Sequence, residues 1–365
     1  MMRHKPCVFA AGREYQIKAE VTGRSIMWVE VGDSVFRDEI CGVMRSETKV
    51  HTMRVPMEVL DKAGRYTICE KEIIGDRKSY HTELGETVKE QFDFYPVKGE
   101  NPRAYHISDT HEMITEPISA AKNYGKFDFL ILNGDIADSS YSLDAFDEIY
   151  EISEALTGGS IPVVCVRGNH DLRGAAAEFL PEYMPTYNGM FYYTVKLGSV
   201  WILVLDCGED KDDSHIEYGG TVCCHEYRLA ETKFIKSVIE NSENEYNDAT
   251  VKTRLVIVHN PFSEKFPDVF EIEDDIYREW CTLLRNEVKP DVMICGHQHK
   301  LYISHPGDAM DFRGAPCPIV LASEIRREEK LFAGCGFEFR DDMIVGRFTY
   351  SDGKGADFSE KKSKR

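Results

Sequence analysis

The chain has 365 residues, 42% hydrophobic and 29% charged, with a formal net charge of −19 at pH 7. That length suits two domains, and that composition suits a soluble globular protein. The charge repels phosphate backbones, which disfavours nucleic-acid partners. No apolar run approaches the ~18 residues of a membrane span, so none is expected. The 11 cysteines are an odd count without framework spacing, and Cys165, Cys207 and Cys295 sit inside apolar runs. That usage fits a reducing compartment. The apolar stretch at the start ends by Ala11, too short for a secretory signal, so a cytoplasmic location is expected.

In chain order, residues 1–99 read as β. "EYQIKAEV" alternates Tyr15, Ile17, Ala19 and Val21 against polar residues, the pattern of a half-buried strand. "SIMWVEVGDSVF" predicts a strand that turns at Gly32-Asp33, and further turn signals follow at Gly64 and Gly75-Asp76. Short strands with regular turns predict a small immunoglobulin- or fibronectin-like sandwich. "DKAGRYTIC" resembles a tyrosine corner with Tyr66 in the corner position, though Cys69 stands three residues on rather than two. An ordinary turn before a strand is the rival reading.

Beyond a linker at "PVKGENPR" the pattern changes. "FDFLILNGD", "IPVVCVRGNHD", "VWILVLDCGED", "RLVIVHN" and "DVMICGHQH" are continuous apolar runs that end in polar residues. Strands this apolar are buried on both faces and call for covering helices, which "EIYEISEAL" and "IYREWCTLLRNEV" supply. "FEFRDDMIVGRFTY" predicts a hairpin at Asp341-Asp342. The expected division is an all-β domain over 1–99, a catalytic α/β domain over 100–350 and a flexible basic tail over 351–365.

The carboxyl ends of α/β strands are where ligands bind. Here five of them carry Asp109 and His111, Asp135 and Asp138, Asn169 with His170 and Asp171, His259, and His297 with His299. Each piece alone is a common turn or a rim histidine. Together they offer oxygen and imidazole donors suited to Mn, Fe or Zn, in greater number than one ion needs. Two ions about 3.5–4 Å apart would share a carboxylate. Alternate residues of a strand face opposite ways, so Asp109/His111 and His297/His299 must lie where the strands bend, with glycines giving the backbone room.

In order, Asp-x-His, Gly-Asp-x-x-Asp, Gly-Asn-His-Asp, a strand-ending His and Gly-His-x-His resemble the calcineurin-like metallophosphoesterases over roughly residues 103–350. The resemblance implies a two-sheet sandwich flanked by helices with two metal ions at the sheet edge. Asp109, His111 and His299 would hold one ion, Asn169, His259 and His297 the other, and Asp135 would bridge them. His170 would contact phosphate or protonate the leaving oxygen, Asp138 would orient His170, and Arg173 would reach a phosphoryl oxygen or else lie at the surface. The implied reaction is hydrolysis of a small phosphomonoester or phosphodiester by metal-held hydroxide.

An N-terminal sandwich before such a domain is also similar to the purple acid phosphatase layout. However, His111 stands where those enzymes lack a histidine, and Asp138 where they carry their coloured tyrosine. A non-purple relative is therefore expected, similar to bacterial members with a small β domain. A non-catalytic scaffold on the same fold and a nuclease are the alternatives, and cyclic-nucleotide diesterase activity stays open. The β domain is a candidate for binding a glycan or partner, or for forming homo-oligomers. The stretch 206–228 offers His215, Tyr218, His225 and Tyr227 for substrate contact, with a plain surface insertion as the rival. "HNPFSEKFPD" is a second rim candidate.

Overall fold

The computed structural model describes residues 1–78 and 80–362. Arg103–Ile107, Phe129–Asn133 and Val163–Val166 form neighbouring parallel strands, with Ile107 opposite Leu132 and Asn133 opposite Val166. This register brings their carboxyl ends level. Val200–Val204, Thr253–Ile257 and Val292–Cys295 do the same in a second sheet.

The period-2 geometry of a strand then divides each apolar run between two faces. Phe129, Ile131 and Val164 meet Ile202, Leu255 and Ile294 between the sheets. Leu130, Leu132 and Val163 turn outward onto the helices Thr115–Tyr124 and Asp147–Thr157 through Ala120, Ala121, Ile149 and Ile152. Trp201, Val256 and Met293 turn outward onto Cys224–Glu240 and Asp274–Leu283 through Ile235 and Trp280. The result is an α/β fold, a two-sheet sandwich flanked by helices. Burying one such aliphatic side chain contributes about 1.5–3 kcal/mol, against about 0–1 kcal/mol for a surface ion pair, so the layers are held by their apolar faces.

The first hundred residues are β-rich, as expected, but are divided among two larger sheets and a two-stranded ribbon of Glu39–Ile40 with Val43–Met44. Ser25–Val31, Ser34–Arg37, Arg65–Ile74 and Val88–Asp93 belong to a separate five-stranded sheet that includes the hairpin at Gly32-Asp33. Cys7–Ala11, Glu14–Glu20 and Val50–Pro56 instead extend the ten-stranded sheet, with Phe9 paired in parallel to Val163. Glu14–Glu20 is consequently buried on both faces rather than one. Its polar positions are satisfied inside: Gln16 donates to Thr186 O at 2.6 Å and Lys18 to Glu182 O at 2.8 Å.

Tyr66 makes no local corner. Its hydroxyl donates to Gly159 O at 2.7 Å, a residue 93 positions away. The turn at Gly64 closes a short helix, Met57–Ala63, with Gly64 in the left-handed region at φ 64°. The hairpin at Asp341-Asp342 joins Leu331–Phe339 to Met343–Tyr350.

The expected flexible tail over 351–365 is corrected in its middle, at Gly355–Lys361. Gly355–Lys361 is an edge strand paired with Met343–Tyr350, because Phe358 packs against Phe337 and Phe348. Residues 363–365 of that tail lie outside the described residues. All 11 cysteines are free thiols. Among the described residues no helix is long and apolar enough to cross a membrane.

Candidate metal centre

The seven residues expected to hold metal come together where the two sheets end. Asp109, His111 and His299 bring one ligand atom each within 4.8 Å of one another, and so do Asp135, His259 and His297. A third such group, His111, Asp135 and His170, joins the two. Asp135 stands between both sets, with Oδ2 3.1 Å from His259 Nε2 and Oδ1 accepting from His170 N at 2.9 Å.

How alternate residues face one cavity is answered by the backbone. Asp109, His111, Asp135, His297 and His299 all lie in the left-handed region, at φ 56°, 44°, 53°, 71° and 51°. Such residues carry a local cost of order 1–3 kcal/mol each and persist where the surroundings over-determine them. Gly134, at φ 78°, serves torsion as well as close approach, whereas Gly168 and Gly296 serve close approach alone. A Cβ at Gly134 would lie 2.5 Å from Gly168 N, and one at Gly168 would overlap Asp135 Oδ1.

Three of the expected ligands are each aimed by a second group. Asp109 accepts from Ser108 Oγ at 2.7 Å, Ser323 Oγ at 2.6 Å and His297 N at 2.9 Å. His259 Nδ1 donates to Asn133 O at 2.7 Å, which leaves Nε2 facing the cluster. His111 Nδ1 lies 3.1 Å from Asp138 Oδ1, and Arg327 donates to that same oxygen at 2.6 Å. Such outer contacts fix ring orientation at metal sites.

The protonation states of the two carboxylates, His111 and His297 suit ligation, and His259 would release its proton to a bound cation. Burial holds His111 and His297 down at about 4, so both are neutral near pH 7. Burial opposes ionisation of Asp135, but His259 outweighs it and holds the acid at about 2; Asp109 is held low in the same way. Burial would lower His259, yet Asp135 and Asp109 drive it up to about 10. Burial and Asp135 push Asp171 up to about 7 while it accepts from Gly168 N at 2.7 Å.

The donor set fits a cation on two further observations. His111 Nε2 and His299 Nε2 face each other 3.0 Å apart. Asn169 points Oδ1 at His297 Nδ1, also at 3.0 Å. Without a cation the reversed amide satisfies its neighbours, with nitrogen toward His297, His259 and Asp135. A cation in the cluster selects oxygen instead.

The model of the calcineurin-like phosphoesterase family matches residues 102–301. The chain belongs to that family. No curated protein matches it. Among solved structures, the purple acid phosphatase PPD1 from yellow lupin (Lupinus luteus) seeds aligns with a TM-score of 0.61 at 13% identity. That alignment covers 99% of this chain and 75% of the lupin chain. TT1561 of Thermus thermophilus gives a TM-score of 0.35 at 15% identity over 70% of this chain and 98% of its own. The lupin likeness is one of fold and runs through the N-terminal β region as well as the phosphoesterase fold.

Within this family member the three residues expected to act on substrate are near the ligands, in changed relations. His170 Nδ1 donates to the backbone oxygen of Asp138 at 2.7 Å, not to its carboxylate, which faces His111 and Arg327 instead. Arg173 places Nη1 3.0 Å from His170 Nε2 while Nε and Nη2 engage Glu209. Arg173 is thus no free surface side chain.

The two loop candidates divide. Tyr218 is buried and donates to Glu209 Oε2 at 2.9 Å, with the His215 ring beside its own. His225 pairs with Glu273, and Tyr227 Oη accepts from Phe191 N, so both serve the helix Cys224–Glu240. On the second rim, Phe266 packs edge-on against His297, whereas Ser263 and Glu264 are buried. Arg327, Ser108, Ser323, Glu209 and Asp210 were not singled out from sequence. None lies in a metal-ligand motif, and only the acidic run after Leu205 hinted at Glu209 and Asp210.

Proposed function

We propose that the chain is a phosphoric ester hydrolase using two metal ions, Mn, Fe or Zn, on a small phosphomonoester or phosphodiester. Asp109, His111 and His299 would hold one ion, Asn169, His259 and His297 the other, and Asp135 would touch both. The observation that carries this reading is the pair of three-ligand groups, linked by a third that shares His111 with one and Asp135 with the other. When bound, such ions polarise phosphoryl oxygens and make water acidic enough to attack near neutral pH.

The chain's own residues supply the rest. His170 is held by the Asp138 carbonyl through Nδ1, so Nε2 is the atom available to a substrate. Arg173 now donates to that nitrogen. A phosphoryl group entering between them would take the Arg173 hydrogen bond and free His170 Nε2 to accept a proton from water and pass it to the departing oxygen. Glu209, bound along one edge of the guanidinium, holds Arg173 in line for this. Asp138 contributes through its carbonyl to His170 and through its carboxylate to His111. The free thiols support a reducing, cytoplasmic setting.

The test is hydrolysis of 4-nitrophenyl phosphate and of its bis(4-nitrophenyl) diester by protein reconstituted with Mn, Fe or Zn. At least one ester should be cleaved, and His170→Ala should lower kcat by about 10²–10⁴-fold. Failure with every metal, with His170→Ala indistinguishable from wild type, would overturn the reading.

A further inference from the structure

A cavity of about 670 Å³ has Arg173 in its wall. The same guanidinium sits 3.0 Å from His170 Nε2. The cavity therefore adjoins the imidazole edge that would protonate the departing oxygen. A phosphoryl group between His170 and Arg173 has this space beside it for its ester arm.

We propose that this cavity receives the alcohol arm of the substrate and selects a bulky alcohol without negative charge. The proposal rests on the phosphoesterase reading above and narrows its substrate class. Size is the first argument. The volume falls inside the range of about 300–1,000 Å³ of small-molecule sites, far more than a methyl or ethyl ester fills. Wall chemistry is the second. Tyr141, Tyr218 and Leu172 line it, giving aromatic and aliphatic surface for a ring-sized group.

Charge is the third argument. Among the described residues Arg173 is the one basic side chain in the wall, against Glu178, Glu209 and Glu217. Arg173 is already engaged by Glu209 and by Asp210, at 2.9 and 3.1 Å. Lys211, outside the wall, holds Glu217 at 2.8 Å. Four carboxylates thus surround two cations, and no donor of positive charge remains for an anionic arm. A nucleotide or a sugar bisphosphate would meet like charge, whereas an uncharged aromatic alcohol would not. An ammonium-bearing alcohol would also be attracted by the tyrosine faces.

The experiment compares three phenylphosphonates carrying para-trimethylammonio, para-nitro or para-sulfonate groups, with calorimetric Kd on Mn-loaded protein. The corresponding aryl phosphates serve as turnover substrates. The sulfonate should bind about tenfold more weakly than the ammonium compound, a ratio set by partly screened charge. Glu178→Gln/Glu217→Gln changes two exposed residues, so folding is retained, and it should shrink that ratio to about threefold. Equal affinities in wild type, or a ratio unchanged in the double variant, overturn the proposal. Aryl phosphates cleaved without any charge preference defeat the cavity assignment alone. A charge preference in binding without cleavage of any ester defeats the phosphoesterase reading alone.

Discussion

A methyl group at Gly296 would overlap Ser108 Oγ and come within 2.6 Å of Asp109 Oδ2. Both atoms belong to the hydrogen-bonded set that aims Asp109, and His297 N donates to the same carboxylate. Gly296→Ala should therefore cost about 1–3 kcal/mol, because a well-filled site must shift to admit it. It should also weaken metal binding at the Asp109 group. Thermal melts with and without chelator measure both effects, and wild-type behaviour in both would refute the close approach. The residue types were legible in sequence because Asp, Asn and His after apolar runs have few other uses in combination. What was not legible was how they face one cavity. That depends on five non-glycine residues in the left-handed region, which no motif announces. The Asp138 carboxylate could be expected on His170, yet a backbone carbonyl does that work.

Glu264 offers a second residue-level check, away from the ligands. It is fully buried in the stretch that sequence suggested as a rim. Burial holds its carboxyl up at about 7, opposed by the hydrogen bond from Tyr302 and aided by Asp311. A raised acid binds its proton more tightly when folded. Wild-type stability should thus fall as pH rises from the unfolded value of 4.5 through about 7. Glu264→Gln cannot ionise and should gain on wild type across that window, by about 1–2 kcal/mol. Denaturant midpoints at pH 5 and pH 8 measure the difference, and parallel curves would contradict it.

At the scale of elements, apolar runs and their stops gave reliable strands and helices, including Asp147–Thr157 with Gly158 beyond it in the left-handed region at φ 57°. The misread element is the last one. "EKKSKR" dominates the composition of the tail and hides Phe358, whose ring packs on Phe337 and Phe348. Gly346 has no side chain there because the Phe358 ring occupies that space. Phe358→Ala should destabilise the protein by about 2–3 kcal/mol, less than a fully enclosed phenylalanine, since the strand lies at the sheet edge. Amide exchange should report faster opening of Gly355–Lys361 in the variant. Unchanged stability and protection would show that the strand is incidental.

Length and composition point to two domains, but nothing in a strand's own residues says which strand it pairs with across a boundary. Phe9 pairs with Val163, and Tyr66 bonds Gly159, so the first hundred residues are tied to the catalytic sheet by both backbone and side chain. Calorimetry should accordingly show one cooperative unfolding transition, and two well-separated transitions would contradict that coupling. Turnover against bound metal tests the two-ion phosphoesterase reading. Protein stripped by chelator is titrated with Mn, and hydrolysis of 4-nitrophenyl phosphate and its diester is followed per ion bound. Binding should saturate at two ions per chain, with cleavage rising as the second ion binds. Saturation at one ion, or two bound ions without cleavage of either ester, would contradict that reading.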